Sequence, residues 1–263
     1  MTELQKTLFV CIGIMALLLC SFLIAFITSQ QKRLKHQKDI QNLRELQQNQ
    51  LIEAAIRSEE IERHRIAEEL HDEVGAILSS SKLHFQGINA ASLNKHDNEL
   101  YNKGKELLND GIQKVRGISH NLHSSILKEF GLNEAIQHFV NKLTQGRIEA
   151  HIALDENYNT QNPENDMSIY RMVQEIVNNL LKHASPGLIN ITSLYRSNVL
   201  TLTIEHNGNG LSQSAFESLR YNKDGLGLKN IQNRIILLQG QIHFVKAENQ
   251  NTITIQIPVN TAI

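Results

Sequence analysis

The sequence is poor in the residues that cross-link or interrupt a chain. Its two cysteines, Cys11 and Cys20, both lie inside an apolar N-terminal run, which argues against a disulfide framework. Its three prolines all lie beyond residue 160, so no proline interrupts a helical interpretation of the first 150 residues. The 26 basic and 27 acidic residues give a net charge of -1, so the basic excess that direct nucleic-acid binding needs is missing.

A long run without charged residues extends from Leu8 to Thr28. About 21 residues at about 1.5 Å each give a helix of about 31 Å, enough to cross the hydrocarbon core of a bilayer. A cleaved signal peptide is the alternative, but the run exceeds a usual signal core and lacks a small-x-small cleavage site. We therefore predict an N-terminal transmembrane helix over residues 1–29.

The charges that flank this run predict its orientation. Four basic residues follow it within residues 32–38, whereas Lys6 alone precedes it. The positive-inside rule then places the C-terminal part in the cytoplasm. The sequence predicts a single-pass protein of the cytoplasmic membrane, with no separate sensor domain on the outer side.

Helical periodicity dominates the next hundred residues. Residues 30–60 are rich in Gln, Lys, Arg and Glu with a broken heptad, which favours a signalling coiled coil. In residues 61–130 apolar residues recur on one face over 66–88 and again over 108–126, with a break at 89–97. This pattern predicts two antiparallel helices. A lone hairpin cannot bury both apolar faces, so we predict a homodimer with a four-helix bundle; the alternative is a hairpin packed only on its own downstream domain.

Residues 131–263 read as mixed structure. The expected helices and strands, in chain order, are a helix at 133–144, a strand at 148–154, a helix at 166–184, strands at 188–195 and 199–205, a helix at 228–239, and strands at 241–246 and 252–258. Alternation within the strands indicates a sheet with one buried face. The expected fold of this part is an α+β sandwich.

Several residues in this pattern suit phosphoryl transfer, which needs a positioned nucleophile, a divalent cation and donors that hold the nucleotide. His71 lies about 85° from the centre of its apolar stripe, at the edge of the predicted buried face, with Asp72 next to it. For a histidine considered alone, an ordinary solvated position is the alternative. On the helix predicted at 166–184 one stripe carries Arg171, Glu175, Asn179 and Lys182. Periodicity alone favours a solvated ion-pair stripe there.

Two glycine pairs complete the pattern. Gly208 and Gly210 follow a predicted strand, and Gly225 and Gly227 open a predicted helix whose N-terminal amides could face phosphate. Each pair alone could be an ordinary turn. Together they predict close backbone approach to a nucleotide and unusual dihedral angles at the hinges of a short lid.

The order and spacing of these motifs resemble the sensor histidine kinases of two-component systems, in their nitrate-sensor and membrane-fluidity-sensor branch. Residues 66–75 (IAEELHDEVG) resemble the phosphoacceptor box, and residues 115–132 resemble the second dimerisation helix and its exit. Residues 174–184 are similar to the N box, 206–210 to the first glycine box and 225–234 to the second. The resemblance covers about residues 60–258.

The resemblance implies a dimerisation and histidine phosphotransfer domain at 61–130 and a catalytic ATP-binding domain of the Bergerat (GHKL) fold at 131–263. It implies that His71 accepts phosphate from ATP with Asp72 at its other ring nitrogen, and that Asn179 holds Mg²⁺. Glu175 is implied as a catalytic residue, either as a second metal ligand or as an acid that orients water. The implied nucleotide contacts are Asn179, Lys182, His183, His206, Gly208, Gly210, Gly225 and Gly227, with Arg220 and Lys223 in the lid. The implied partner is a response regulator with a helix-turn-helix output domain.

Two positions depart from the family pattern. His206 stands where the family has an aspartate that accepts a proton of the adenine amino group, which predicts weakened, pH-sensitive ATP binding, because imidazolium cannot accept a hydrogen bond. Ala76 stands where relatives with phosphatase activity carry a glutamine, which predicts weak dephosphorylation of the partner. The first departure keeps a second function open, a kinase-like nucleotide-binding or dimerisation module that controls a partner without turnover.

Overall fold

The computed structural model describes residues 3–89, 93–122, 124–144, 148–159, 162–219, 226–248 and 250–259. The chain divides into two compact units, residues 1–52 and 53–263. No helix within the described part of the chain is long and apolar enough to cross a membrane. Most side chains of the run from Leu8 to Thr28 lie outside the description. The membrane span therefore stays a prediction.

Helices fill the N-terminal half, as the lack of proline predicts. Their bounds are α1 Glu3–Glu69, a π-helical segment Leu70–Val74, α2 Gly75–Gln86, α3 Lys95–Leu122 and α4 Ser125–Thr144. The end of α2 and the start of α3 confirm the break expected at residues 89–97. Residues 30–52 are helical with exposed side chains, and a coiled coil there stays a prediction.

The two helices of the hairpin run antiparallel and touch at both ends. Near the base, the Ser119 hydroxyl donates to the Ala67 carbonyl over 2.9 Å, and both residues are buried. Near the tip, the Tyr101 hydroxyl donates to the Phe85 carbonyl over 3.0 Å and the two rings stack. Other apolar side chains stay uncovered: Ile77 is 65% exposed and Leu107 is 63% exposed. These side chains leave apolar surface available to a second chain.

A five-stranded mixed sheet carries the C-terminal part, in the order β1-β2-β3-β5-β4. The strands are β1 Glu149–Ala153, β2 Leu188–Arg196, β3 Val199–His206, β4 Gln241–Val245 and β5 Asn251–Pro258. Only β1 and β2 pair in parallel. The helices are α5 Pro163–Asn179, a π-helical segment Leu180–Ala184, α6 Gln213–Leu219 and α7 Leu226–Leu237.

One face of this sheet is buried against helices. Alternate residues of β3 are buried, as its Thr-Leu-Thr-Ile alternation predicts. Helices α4, α5 and α7 supply buried side chains to the same core, including Ile136, Val173 and Ile231. All five expected strands and the expected helices are confirmed, so the part beyond residue 131 is an α+β sandwich. Helix α6 was not expected, because its segment was interpreted only as a lid.

Gly131 bends α4 and offers a test of this geometry. Its φ of 82° and ψ of -177° belong to a region that only glycine enters readily. We expect Gly131→Ala to lower the free energy of unfolding by about 1–3 kcal/mol, measured by urea denaturation. The matched control is Gly111→Ala in α3, where an added Cβ meets no atom within 4 Å; a helical alanine there should stabilise by about 0.5–1 kcal/mol. Equal unfolding midpoints for Gly131→Ala and the wild type would contradict the strain.

Candidate functional site

His71 lies in the π-helical segment between α1 and α2 and points into solvent. Its side chain is 74% exposed, and its Nδ1 lies 2.9 Å from Oδ1 of Asp72. An ionised carboxylate only accepts hydrogen bonds, so this contact places the ring proton on Nδ1. The lone pair of the imidazole is then on Nε2. The sequence expectation that Asp72 bonds the other ring nitrogen agrees with this geometry.

A small cavity of about 310 Å³ adjoins His71. The antiparallel pairing of α2 and α3 brings Arg116 to its wall, and Ala76 lines it as well. The methyl group of Ala76 offers no hydrogen bond to a water held there. The geometry is therefore compatible with the weak dephosphorylation expected from the sequence, which stays a prediction.

A larger cavity of about 450 Å³ opens between α5, α7 and the sheet. Most of its walls are apolar. The residues that line it are Ile176, Asn179, Leu180, His183, Ala184, His206, Asn209, Gly210, Leu211, Leu219, Gly227, Leu228, Ile231, Phe244 and Ile253. The volume lies in the range of ligand sites, and a few polar groups in an apolar concave surface are typical of one.

Glu175 and Asn179 form a polar pair at the rim of this cavity. They lie one turn apart on α5, and the Asn179 amide donates to Oε1 of Glu175 over 3.1 Å. The N-terminus of α7 packs against the pair, since a Cβ added to Gly227 would lie 1.9 Å from that same Oε1. Glycine at 227 therefore lets the helix N-terminus approach a carboxylate and an amide, where its free amides favour an anion.

Gly208 and Gly210 lie in close contact with groups of the protein itself. A Cβ at Gly208 would lie 2.3 Å from the Ala184 carbonyl, and a Cβ at Gly210 would lie 1.9 Å from Oδ1 of Asn251. Both glycines make room for protein groups, and neither they nor Gly227 have a positive φ. The expectation of unusual dihedrals is wrong at these three positions. Gly210 nevertheless lines the cavity, while Gly208 packs the loop onto the end of the π-helical segment.

The structure describes some of the remaining residues that were expected to contact the nucleotide. His183 lines the cavity, and Lys182 beside it is exposed and is absent from the described lining. Gly225, Arg220 and Lys223 lie outside the described residues. Arg171 turns away from the Glu175 and Asn179 pair, so the single stripe expected on this helix serves two separate sites.

Arg171 instead reaches the phosphoacceptor helix. It is 5% exposed and forms a bidentate pair with Glu60, with Nε–Oε1 at 3.0 Å and Nη2–Oε2 at 2.9 Å. Its Nη groups also donate to the last carbonyls of α3, at Asn121 over 3.2 Å and at Leu122 over 2.8 Å. One buried guanidinium thus ties α5 to α1 and to the C-terminus of α3.

Arg234 of α7 makes a second tie to the same place. It is 4% exposed, and its Nη2 lies 3.1 Å from Glu59 and 3.2 Å from Glu60. Burial lowers the pKa of Arg234, and the two carboxylates oppose that shift. We call Arg171, Arg234, Glu59 and Glu60 the arginine clamp. Sequence reasoning missed it, because each ion pair joins a glutamate to an arginine more than 100 residues away and no local period connects them.

His206 lies at the end of β3, buried in the wall of the cavity. It is 3% exposed, and no hydrogen-bond partner reaches its Nδ1 among the described residues. Desolvation by burial lowers the pKa of His206 below its ordinary value of 6.5. The imidazole is therefore neutral at pH 7 to 8. The pH-sensitive ATP binding expected from the sequence is therefore expected below pH 7.

This lowered pKa predicts a pH-dependent stability. The unfolded chain binds a proton at His206 near pH 6.5, whereas the folded chain does so only at lower pH, so acidification below about 6.5 favours unfolding. The loss should approach about 1.4 kcal/mol per pH unit until the folded pKa is reached. We expect the free energy of unfolding to fall more in the wild type than in His206→Asn between pH 7.5 and 5.5, because only the wild type has this imidazole to protonate on unfolding. Identical pH slopes in the two proteins would contradict this assignment.

Comparisons with known proteins match both parts of the chain. Residues 62–127 match the family described as histidine kinase, and residues 164–261 match the family described as histidine kinase-, DNA gyrase B-, and HSP90-like ATPase. The first match contains His71 and Asp72, and the second contains the described cavity.

Curated relatives agree with these matches. The sensor histidine kinase MctS of Rhizobium johnstonii is 28% identical over 79% of this chain and 45% of its own length. The oxygen sensor histidine kinase NreB of Staphylococcus carnosus is 25% identical over 84% of this chain and 63% of its own length. The signal transduction histidine-protein kinase/phosphatase DegS of Brevibacillus brevis is 24% identical over 78% and 53%, respectively.

The aligned region thus spans about half to two thirds of the length of these relatives. The two family matches follow one another in the order that the sequence motifs predict, and NreB is among the relatives. The chain belongs to the sensor histidine kinases of two-component systems, in their NreB-like branch.

Proposed function

We propose that this chain is a membrane-anchored, homodimeric sensor kinase that phosphorylates His71 from ATP and passes the phosphoryl group to an aspartate of a response regulator. The observation that carries the proposal is the contact between Nδ1 of His71 and Asp72 on an exposed side chain. It leaves Nε2 with its lone pair free for in-line attack on a terminal phosphorus.

The phosphoryl transfer to His71 forms one bond and breaks one bond. The Nε2 lone pair forms a bond to the γ-phosphorus, the bond from that phosphorus to the bridging oxygen breaks, and ADP leaves with the electron pair. The imidazole gains positive charge as the new bond forms, and the Asp72 carboxylate stabilises that charge through Nδ1–H. The product is a phosphoramidate suited to transfer onto a carboxylate.

The cavity between α5 and α7 is the proposed ATP site. Its apolar walls suit a base, and Gly227 at the N-terminus of α7 offers backbone amides to phosphates. The expected site residues Lys182, His183, His206, Gly208, Gly210 and Gly225 stay proposals for nucleotide contacts or for the shape of the site.

Glu175 and Asn179 are the proposed Mg²⁺ ligands. A carboxylate and an amide oxygen one turn apart fit a cation that prefers oxygen ligands and takes the others from water and substrate phosphates. The described residues hold no group of three or more His, Cys, Asp or Glu side chains able to bind a metal, which suits such a sparse protein contribution. When bound, Mg²⁺ neutralises phosphate charge.

Dimerisation would cover the apolar surface of the hairpin. Leu83 is 68% exposed and Ile118 is 51% exposed, and a second copy of the hairpin would bury both kinds of side chain in a four-helix bundle. We propose residues 61–130 as this dimerisation domain, residues 131–263 as the ATP-binding domain, and residues 30–60 as a coiled coil that leads into them. The proposed response regulator carries a helix-turn-helix output domain.

Membrane anchoring rests on the uncharged run from Leu8 to Thr28 and on the basic residues that follow it. The proposed location is the cytoplasmic membrane, with a single pass and a cytoplasmic C-terminal part. The matched test expresses the chain with and without residues 1–29. The full chain should sediment with membranes after a carbonate wash, and the shortened chain should not; recovery of both in the supernatant would refute the anchor.

Incubation of the purified full chain with γ-labelled ATP and Mg²⁺ tests the kinase. The expected label is lost in acid and kept in base, as a phosphoramidate requires, and it moves to a purified response regulator receiver domain on mixing. The rival function, a kinase-like module without turnover, is favoured by His206 in the first glycine box. It predicts ATP binding without label.

A further inference from the structure

A buried asparagine bridges two segments beside the proposed ATP cavity. Asn251 begins β5, pairs with His206 in the register of the sheet and is 5% exposed. Its Nδ2 donates to the Gly208 carbonyl over 2.7 Å, and its Oδ1 accepts from the backbone N–H of Ala247 over 3.2 Å. The amide therefore joins the loop after β3 to the segment that connects β4 to β5, and both of its ends have a partner.

The loop after β3 forms one wall of that cavity. We call residues 207–211 the glycine loop; three of them, Asn209, Gly210 and Leu211, line the cavity. The loop belongs to no helix or strand, so it lacks the ladder of backbone bonds that holds β3 in the sheet. A segment with few backbone bonds opens at a low free-energy cost unless other contacts hold it. Side-chain contacts to the glycine loop therefore decide how well ordered this wall is.

Asn207 and Asn251 hold different parts of the glycine loop. The Oδ1 of Asn207 accepts from the backbone N–H groups of Gly187 and Leu188, which fixes the start of the loop against β2. These three residues are absent from the described lining of the cavity. Asn251 instead bonds the carbonyl of Gly208, directly before the residues that line the cavity. Of the two asparagines, Asn251 is the one placed to fix the lining part of the loop.

Gly210 shows how closely the amide approaches that part. A Cβ added to Gly210 would overlap Oδ1 and Cγ of Asn251, so glycine lets the loop backbone lie directly against the amide. The backbone N–H of Asn209 also donates to the Ala184 carbonyl over 2.8 Å, and Ala184 itself lines the cavity. Asn251 and the end of the π-helical segment Leu180–Ala184 together hold the lining residues in place.

We propose that Asn251 is a positioning residue for the nucleotide, because it holds the glycine loop in its binding conformation before ATP arrives. This inference rests on the proposed function of the cavity as the ATP site. A loop that is already ordered costs a ligand little further conformational entropy, so Asn251 raises the affinity without touching the ligand. In the described part of the chain Asn251 bonds neither His71 nor the Glu175 and Asn179 pair, so the rate of transfer from bound ATP should not depend on it.

The initial rate of labelling of the full chain, measured across a range of Mg-ATP concentrations at pH 7.5, tests this proposal. We expect Asn251→Ala to raise the KM for ATP about tenfold and to leave the maximal rate unchanged, because only binding must now order the loop. The matched control is Asn133→Ala, which removes an amide that donates to the Asp155 carbonyl over 3.0 Å outside the described cavity. Its KM should stay within about twofold of the wild type, although both variants lose one hydrogen bond.

Hydrogen exchange of the wild type without nucleotide gives a second measurement. The backbone N–H groups of Asn207 and Asn209 donate to the carbonyls of Leu188 and Ala184. They should be protected from exchange before any ligand is added, because Asn251 already holds the loop. In Asn251→Ala the same amides should exchange about tenfold faster, whereas Asn133→Ala should leave them unchanged.

The outcomes separate this inference from the function on which it rests. A wild type that neither binds nor uses ATP overturns the ATP site, and the positioning role with it. A wild type with normal kinetics, together with an unchanged KM in Asn251→Ala or an equal rise in Asn133→Ala, overturns only the positioning role. Should Asn251→Ala fail to fold, exchange in the free wild type still decides, because unprotected amides at Asn207 and Asn209 would contradict an ordered loop.

Discussion

Replacing His71 by glutamine should abolish the incorporation of label from γ-labelled ATP. Glutamine is similar in length to histidine but has no ring nitrogen lone pair, so it cannot form the phosphoramidate. The side chain is 74% exposed and, among the described residues, its hydrogen bond goes to the neighbouring Asp72, so the substitution should leave the fold intact. We expect a loss of at least 1,000-fold, about the detection range of the assay, because no other group replaces the nucleophile.

The matched control is His84→Gln, which removes an exposed imidazole from the same helical arm. It should keep the label at the wild-type level. Nucleotide binding to His71→Gln, measured by titration with Mg-ATP, should be unchanged, because the acceptor lies outside the described cavity. Full labelling of His71→Gln, or loss of label in His84→Gln, would show that a different residue accepts the phosphoryl group.

Replacing Glu60 by glutamine should produce the largest loss of stability. Glu60 pairs with two arginines whose side chains are only 5% and 4% exposed. Its neutralisation leaves the buried Arg171 without its carboxylate partner and leaves Arg234 with Glu59 alone. Breaking a buried pair from one side usually costs about 3–5 kcal/mol. We expect a fall of that size in the free energy of unfolding, measured by urea denaturation at pH 7.5 and low salt.

Glu62→Gln is the control for this prediction, because Glu62 lies on the same helix and pairs with the exposed Arg65. Its unfolding midpoint should match the wild type, since exposed pairs contribute little. The double variant Glu60→Gln with Arg171→Met should recover part of the loss, because it removes a buried charge along with its partner. Equal midpoints for Glu60→Gln and Glu62→Gln would contradict the clamp.

Much of the fold could be predicted from the sequence because its signals are local. The Thr-Ile-Thr-Ile alternation of β5 comes from residues that are neighbours in the chain. The identity and order of the phosphoacceptor and glycine motifs were likewise sufficient to identify the family. These elements depend on periods of two or about 3.6 residues, which a single sequence displays directly.

The π-helical segments could not be predicted in the same way. A π turn includes about one more residue than an α turn, so it sets the following helix back by roughly 100°. The predicted positions of His71 and Ile77 around the helix axis assumed a uniform 100° per residue. The π-helical segment Leu70–Val74 does not follow that spacing. Upstream of it Ile66 is partly buried, while downstream Ile77 is 65% exposed.

Contacts between residues that lie far apart in the sequence could not be predicted either. Arg171 shares a helical stripe with Glu175 and Asn179, yet it bonds Glu60, 111 residues away. Gly208 and Gly210 lie where an added Cβ would meet Ala184 and Asn251, a packing requirement that the glycine pattern alone did not indicate. The partner in each case is fixed by the tertiary fold, and a helical or strand period carries no information about it.

The clamp holds helix α1 through two neighbouring carboxylates. Glu59 and Glu60 project about 100° apart around the helix axis, yet both carboxylates converge on Nη2 of Arg234. Arg234 contacts both carboxylates and Arg171 contacts one, and these arginines belong to the two helices that flank the described cavity. A rotation of residues 53–69 of α1 about the helix axis would therefore have to break these ion pairs or displace α5 and α7 together with it.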